Sequence, residues 1–236
     1  MGAISVTASD FVGQYQLART TASDVILNSY ITREYTKTLY KLLGKELADL
    51  LIAYNALTQT TTTSGLLVVG VSYYITDFNT GDDFTNVGAS SNATGVYFVA
   101  TGTTPTTWTN LSSLKSNMVE RYENIVNSFY ITDDVYFWNN VAHESTGIKD
   151  LLLMSIYYAY VSETQLKQTQ SGVSFSDSEN SVVQSGANAY RLAEQKWNNA
   201  GLTTWWAIRW YCLIKYPSTY PEYAGICERT RYSGLM

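Results

Sequence analysis

A 56-residue stretch without a single lysine or arginine constrains this chain more than any other feature. The stretch covers residues 58–113 and holds fifteen threonines and six glycines, with three aspartates as its only charged residues. Helix-like sequence lies on both sides and carries the remaining charges. Such a step in composition marks a change of structural unit. We therefore predict a helical domain made of residues 1–57 and 114–236, with an inserted lobe at 58–113.

The lobe carries the signals of a small β unit. Residues 66–76 and 95–101 are rich in β-branched and aromatic side chains. Glycine, asparagine and aspartate cluster at 78–84 and 88–95, as is typical of turns. We predict three to five short strands, entered through a flexible linker at 58–65.

Outside the lobe, apolar residues return to the spacing of helices. Residues 23–56 predict two helices that meet at Gly44, because glycine is common just past the end of a helix. Further helices are predicted at 113–131, 146–167, 181–200 and 203–216, of which 146–167 is central. Pro217 and Pro221 then end regular structure and leave an extended C-terminal tail. The predicted fold class is mainly α: a bundle of about six helices with an inserted small β lobe.

No residue pattern predicts an enzyme. His143 is the only histidine, and Glu144 and Ser145 beside it lack the sequence context of a catalytic nucleophile. The acidic piece at 81–88 lacks the alternating acids and the terminal glutamate of a calcium loop, so we interpret it as a turn. We therefore expect no catalytic residue, no metal site and no cofactor.

Charge and cysteine content argue against some classes of protein and indicate the compartment in which the chain is made. The formal charge is −5 with no long basic run, which argues against a protein that grips nucleic acid. The chain has no apolar stretch of the length that spans a bilayer, and its N-terminus does not resemble a secretion signal. Cys212 and Cys227 are predicted to be reduced thiols made in a cytoplasm, the first buried and inert, the second more reactive.

Aromatic residues are abundant, with 20 tyrosines and six tryptophans. Residues of these types are enriched at protein–protein interfaces, although they also fill cores. We predict that several of them contact other protein chains. The candidate contact residues are Tyr97, Phe98 and Trp108 of the lobe, and Tyr220, Tyr223, Arg229, Arg231 and Tyr232 of the tail.

Three stretches resemble structural proteins of tailed bacteriophages. Residues 30–53, with a helix, a Leu-Leu-Gly break and a second helix, resemble head–tail connector proteins. Residues 166–185 resemble the exposed loop that joins later helices in some of those connectors. Residues 81–110 resemble a β segment that recurs in varied phage structural proteins.

The resemblance to connectors implies a structural virion protein that forms a dodecameric ring below the portal and part of the DNA channel from capsid to tail. Its implied partners are further copies of itself, the portal protein and neighbouring tail or ring proteins. DNA would pass through without specific binding, and no membrane is involved. The implied location is the neck of the phage virion, after synthesis in the cytoplasm of a bacterial host.

Two details of this hypothesis come from the residues. An acidic channel wall repels phosphates, and the candidate channel-facing acids are Glu163, Asp177 and Glu179. The lobe is expected to widen the ring and touch a neighbouring chain, because it carries no lysine or arginine and its sheet edges can pair. Two alternatives stay open: a tail-completion or baseplate component, and a carbohydrate-binding module with Trp108 and Tyr97 as its sugar platform.

Overall fold

The computed structural model describes residues 4–17, 21–131, 143–169, 172–175 and 186–226 of the chain. By its internal contacts the chain divides into two compact units. The first unit comprises Met1–Asp49 and Ile125–Met236, and the second comprises Leu50–Asn124. The predicted lobe at 58–113 lies within the second unit. The division into a helical domain of residues 1–57 and 114–236 and a lobe at 58–113 stays a prediction.

The described residues contain both helices and strands. The helices are α1 Thr21–Leu43, α2 Lys45–Asn55, α3 Glu120–Val126, α4 Ile148–Gln165, α5 Gly186–Lys196 and α6 Leu202–Trp210. The strands are β1 Thr61–Thr62, β2 Ser72–Asp77, β3 Tyr97–Val99, β4 Ser113–Ser116, β5 Phe129–Ile131, β6 His143–Ser145, β7 Leu166–Thr169 and β8 Gly172–Phe175. Two π-helical turns, Trp197–Gly201 and Tyr211–Lys215, join α5 to α6 and extend α6.

The break between the first two helices lies at the predicted glycine. α1 ends at Leu43, Gly44 has a φ of 83°, and α2 begins at Lys45. Glycine adopts this left-handed conformation without the steric cost that a Cβ imposes. A Cβ at Gly44 would also lie 2.8 Å from the backbone nitrogen of Ala224. The predicted helix–glycine–helix arrangement is confirmed.

α4 is the central helix of the first unit. It packs against α1, α5 and α6, and its residues Leu151 and Ile156 are fully buried. At the contact with α1, the hydroxyl groups of Thr38 and Ser155 share a hydrogen bond of 2.9 Å. A helix that is apolar on most faces needs other elements packed against most of those faces. The prediction of a central helix at 146–167 is confirmed.

The second unit contains a four-stranded antiparallel sheet with the strand order β1-β4-β2-β3. One face of the sheet is apolar: Tyr73, Ile75 and Phe98 pack with Phe84 and Leu114 in a buried core. The number of strands in this sheet agrees with the prediction of three to five.

Three predicted segments in and after the lobe are wrong. Residues 113–131 form β4, α3 and β5 instead of one helix, because Ser113–Ser116 pairs with two strands of the sheet. Long-range pairing overrides helical spacing here. Residues 58–65 are not a linker, because β1 within them pairs with β4. The run 66–76 becomes a strand only at Ser72, after a turn at Gly70, whose φ is 84°.

The fold class is therefore mixed α and β rather than a six-helix bundle. In addition to the sheet of the second unit, the antiparallel pairs β5–β6 and β7–β8 lie in the first unit. β5 lies in the predicted helix 113–131, and β7 and β8 lie in the stretch 166–185 that resembles an exposed loop. The prediction was correct that helices enclose an inserted β region in the sequence.

The described part of the C-terminal tail folds back onto its own subunit. The Ala224 N–H donates to the Leu43 carbonyl at 3.0 Å, and the Ile226 N–H donates to the Lys41 carbonyl at 2.8 Å. Carbonyls at the end of a helix have no partner within that helix, so the tail supplies donors that α1 lacks. As predicted, no helix or strand follows Lys215 in the described residues, but up to Ile226 the tail packs on its own subunit instead of extending away from it.

Candidate interaction surfaces

A buried aspartate organises the polar loops of the lobe. Asp82 is 3% exposed, and its carboxylate accepts the backbone N–H groups of Thr109, Asn110 and Ser112 at 2.7, 2.9 and 3.0 Å. Burial alone would raise the pKa of Asp82, but the hydrogen bonds from Asn110, Ser112 and Thr109 outweigh it and hold the pKa below its ordinary value. The carboxylate therefore anchors a loop of its own domain.

Asp83 holds the neighbouring turn. Its Oδ1 accepts the Asn92 amide at 2.9 Å, and the backbone N–H and hydroxyl of Thr85 at 3.0 and 2.7 Å. The hydrogen bonds from Asn92 and Thr85 lower the pKa of Asp83 to about 2. A short 3₁₀ turn follows at Thr85–Val87. The acidic piece at 81–88 is thus a turn, as predicted, and Asp83 holds it.

Two of the three lobe aromatics that were predicted as contact residues pack within the lobe. Phe98 is 6% exposed, and its ring lies 5.8 Å from that of Tyr73. The half-buried Trp108 packs edge-on against Phe84 at 5.4 Å and donates its Nε1–H to the Ser112 carbonyl at 2.7 Å. The prediction of Phe98 as a contact residue is wrong, because its side chain is enclosed by the core.

Tyr97 lies on the other face of the sheet. Side chains alternate along a strand, so Tyr97 and Val99 face away from the core that Phe98 enters. The Tyr97 ring lies 4.4 Å from the ring of Tyr74 on the adjacent strand. Burial, together with the charge of Glu123, raises the pKa of Tyr97 to about 12. Its role in a contact stays a prediction.

An exposed apolar loop of the lobe was missed by the sequence analysis. Leu66, Val68 and Val69 are 74%, 61% and 56% exposed, and we refer to these three residues as the apolar loop. Gly65 and Gly70, both with positive φ, enclose it. Glycine at both ends of an apolar run was the available signal, because it favours a loop over a continuous strand.

The last helical segment exposes a second set of large apolar side chains. Trp206, Leu213 and Tyr216 are 40%, 41% and 39% exposed, and we refer to them as the helix stripe. Trp205 and Ile208, on the other side of α6, are fully buried in the first unit. A helix that is apolar on its buried side and also on its exposed side has more apolar surface than its own subunit covers.

The tail residues that were predicted as contacts divide into three groups. Tyr220 is 2% exposed, and its ring lies 6.0 Å from that of Tyr211, so its prediction as a contact residue is wrong. Tyr223 is half-buried, beside Gly225. The other candidates, Arg229, Arg231 and Tyr232, lie outside the described residues.

Of the three candidate channel acids, the structure describes Glu163. The Arg33 guanidinium binds both of its carboxylate oxygens, at 2.5 and 3.2 Å, and the Tyr30 hydroxyl donates to it at 3.1 Å. The hydrogen bonds from Arg33 lower the pKa of Glu163. Glu163 therefore stays ionised, but Arg33 compensates its charge. Asp177 and Glu179 lie outside the described residues.

The residues around His143 are not arranged as a catalytic group. Glu144 is exposed whereas Ser145 is fully buried, so the two side chains lie on opposite faces of β6. In the described ranges, no group of three or more His, Cys, Asp or Glu residues is placed to hold a metal ion. Within the same ranges, no helix is long and apolar enough to cross a membrane.

A small polar cavity lies in the first unit, between α1 and the helical segment that carries Trp197 and Trp205. Its volume of about 20 Å³ is that of a single water molecule and far below that of a cofactor. The lining includes Glu34, which is 5% exposed and accepts from Arg33 and Lys37 at 2.9 and 3.0 Å. The cavity is therefore a place for bound water within an ion-pair network.

Cys212 is expected to resist thiol reagents in the native protein. It is fully buried, and burial raises its pKa, so the reactive thiolate is scarce. In a Cys227→Ser variant, which leaves Cys212 as the only thiol, labelling should be at least about a hundredfold slower without denaturant than with it. Rapid native labelling of this variant would contradict the buried position. Cys227 lies outside the described residues.

Comparison with protein-family models, with curated proteins and with solved structures finds no match to this chain.

Proposed function

We propose that this chain is a structural virion protein: a head–tail connector of a tailed bacteriophage that assembles with further copies into a dodecameric ring below the portal. In this role it forms part of the channel through which DNA passes, without binding DNA specifically and without catalysing a reaction. Its neighbours are the portal protein and other ring or tail proteins.

The helix pair around Gly44 is the observation that carries the proposal. Residues 30–53 are the stretch that resembles connector proteins through a helix, a Leu-Leu-Gly break and a second helix. α1, Gly44 and α2 have this arrangement in three dimensions. The returning tail adds to it, because Ala224 and Ile226 hold the end of α1 and so stabilise the break.

Exposed apolar surface supports an assembly role. The apolar loop and the helix stripe each present several large side chains to solvent. Monomeric soluble proteins rarely expose such side chains in groups, and contact with another protein chain removes them from water. A ring supplies that contact twice for every subunit.

A carbohydrate-binding module receives no support from the lobe. A sugar platform would need Tyr97 and Trp108 on one surface. Tyr97 faces away from the core, whereas Trp108 packs with Phe84 in the core on the opposite face of the sheet. A tail-completion or baseplate component shares the virion setting, and the portal contact distinguishes it from a connector.

Electron microscopy of the purified full-length chain, alone and mixed with a phage portal protein, tests the proposal. We expect rings with a central hole that stack coaxially on portal particles. Particles without a central hole in both samples would contradict a connector. Rings that ignore the portal would instead favour the tail-completion or baseplate alternative.

A further inference from the structure

The N-terminal residues 4–17, which we call the strap, hold their own backbone shape. The strap contains two short 3₁₀ turns, Ala8–Asp10 and Gly13–Tyr15. The backbone N–H groups of residues 10–12, 15 and 16 donate to carbonyls within the strap, at 3.0 to 3.3 Å. The Asp10 carboxylate closes the first turn further, because it accepts the N–H and the hydroxyl of Thr7, both at 2.8 Å.

Buried side chains hold the strap on the first unit. Ile4 and Phe11 are each 1% exposed, and Val6 and Tyr15 are also buried. The first 3₁₀ turn contacts α1, and the second contacts α4. This attachment differs from that of the C-terminal tail, whose backbone N–H groups donate to carbonyls of α1.

Two polar ties join the strap to the first turn of α4. Lys149 forms an ion pair with Asp10, with 2.9 Å between its Nζ and the carboxylate oxygen. The Tyr15 hydroxyl donates to the Asp150 carboxylate at 2.8 Å. The same carboxylate of Asp10 that closes the first turn thus also anchors it, and each of the two turns has a tie to the start of α4.

Lys196 joins the strap to a third segment. It is the last residue of α5, and its Nζ donates to the Gln14 carbonyl. The same ammonium group lies 5.8 Å from the ring centre of Tyr15 and 5.3 Å from that of Tyr157 in α4. An ammonium group at this distance from an aromatic ring is attracted by the electrons of its face. One lysine therefore connects α5, α4 and the strap.

We infer that the strap opens and closes on the first unit as one piece while the helices stay folded, and that Lys196 is the latch that holds it closed. Each tie described above involves a side chain, so opening can leave the backbone bonds inside the strap and inside the helices intact. A segment attached in this way opens at a lower free energy than the domain that carries it. The inference is independent of the proposed function.

Opening of the strap changes the surface at the start of α4 and the end of α5. Lys149, Asp150 and Lys196 lose their partners in the strap, and the Tyr157 ring loses its neighbour Tyr15, whose centre lies 6.0 Å away. Two ammonium groups, a carboxylate and an aromatic ring thus become accessible together. The closed strap is a cover for this surface, and the end of α5 is fixed only while the cover is in place.

Amide hydrogen exchange on the full-length chain, read by mass spectrometry or NMR, tests the inference. Lys196→Met removes the ammonium group and keeps a long side chain that favours helix. Lys45→Met is the matched control, because Lys45 also lies over a tyrosine ring, that of Tyr40 at 5.7 Å, but at the start of α2.

In the natural chain, we expect the amides of residues 10–12, 15 and 16 to share one opening constant and to exchange at least about tenfold faster than the most protected amides of α4. In Lys196→Met these strap amides should exchange at least about tenfold faster again, since two ring contacts and a hydrogen bond are lost. The amides of α4 should be unchanged, and Lys45→Met should exchange in the strap like the natural chain.

A second background separates a latch from a general stabilising residue. Tyr15→Leu removes one of the two rings that Lys196 contacts, so adding Lys196→Met to it should accelerate strap exchange by a smaller factor than in the natural chain. An equal factor in both backgrounds would show that Lys196 does not act on the strap through Tyr15.

Three further results overturn the inference. Strap amides as protected as those of α4 in the natural chain would mean that the strap opens only with global unfolding. Unchanged strap exchange in Lys196→Met would remove the latch. Equal acceleration in α4 and the strap would make Lys196 a stabilising residue of the whole unit. The first comparison uses the natural chain, so it decides the question of opening even where a variant fails to fold.

Discussion

Replacing Gly225 with alanine is expected to lower the free energy of unfolding by about 3 kcal/mol, because the tail can no longer dock on α1. A Cβ at this position would overlap the Leu42 carbonyl oxygen and would lie only 2.6 Å from its carbon. The atoms in the way belong to the backbone at the end of a packed helix, so they cannot move aside as a flexible side chain would.

The loss follows from the hydrogen bonds that hold the tail. Ala224 and Ile226 donate their N–H groups to carbonyls of α1. From α6, the Trp205 Nε1–H donates to the Ile226 carbonyl at 3.2 Å, and Arg209 donates to the Gly225 carbonyl at 2.9 Å. Each such bond contributes about 1 kcal/mol net, and detachment of the tail removes all of them together.

Urea unfolding followed by far-ultraviolet circular dichroism measures this change, and amide hydrogen exchange at Ala224 and Ile226 localises it. Gly102→Ala is the matched control. Its added Cβ would approach Val87 at an ordinary distance of 3.4 Å, so the expected effect is close to zero. An unchanged unfolding midpoint for Gly225→Ala, with both amides still protected, would falsify the tail docking.

Replacing Asp82 with alanine is expected to destabilise the lobe by about 3 to 5 kcal/mol. The change leaves the N–H groups of Thr109, Asn110 and Ser112 without their acceptor. Ser112 is fully buried, so water cannot replace the lost oxygen at its N–H without opening the loop. Hydrogen bonds to an ionised acceptor are also stronger than neutral ones.

Hydrogen exchange at residues 109–112 reports this effect directly, because these amides should lose protection before those of the helical unit. Asp77→Ala is the matched control: Asp77 is an exposed aspartate of the same lobe, at the end of β2. Protection of the three amides in Asp82→Ala equal to that in the control would show that the carboxylate is dispensable.

Acid should weaken the lobe in the same way. The pKa values of Asp82 and Asp83 are lowered in the folded protein, that of Asp83 to about 2. In the unfolded chain an aspartate titrates near about 3.9, so the unfolded state takes up protons first as the pH falls. The stabilisation by these carboxylates is therefore complete above about pH 4 and is lost as the pH falls towards about 2.

The sequence by itself determined the features that depend on interactions between residues close together in the chain. Gly44 ends α1 because a backbone with positive φ needs no tertiary partner to favour glycine. The apolar spacing of 146–167 was sufficient to predict α4 and its central position. The turn at 81–88 was predictable because an aspartate such as Asp83 accepts the backbone N–H two residues on, and glycine permits positive φ. The charge-poor stretch also indicated where the β region lies.

The candidate contact residues were much less predictable. A count of aromatics cannot tell which side of a strand faces the core, and a shift of one residue exchanges the two faces. Phe98 is therefore fully in the core while Tyr97 is only half-buried on the other face, and the burial of Tyr220 beside Tyr211 is not visible in the sequence. The exposed apolar loop was also not predicted, because its residues suit a strand as well as a loop.

Only the tertiary structure decided the remaining features, because each depends on groups that are far apart in the chain. The strand β4 and the short β1 exist because they pair with each other across more than fifty residues, which outweighs their local preference. The tail returns to α1 because the helix end has carbonyls without donors and Gly225 leaves room for close approach. Asp82 is buried because three backbone N–H groups converge on it. The local spacing of residues carries no information on these long-range contacts. The same contacts determine which side chains remain exposed and available to other proteins.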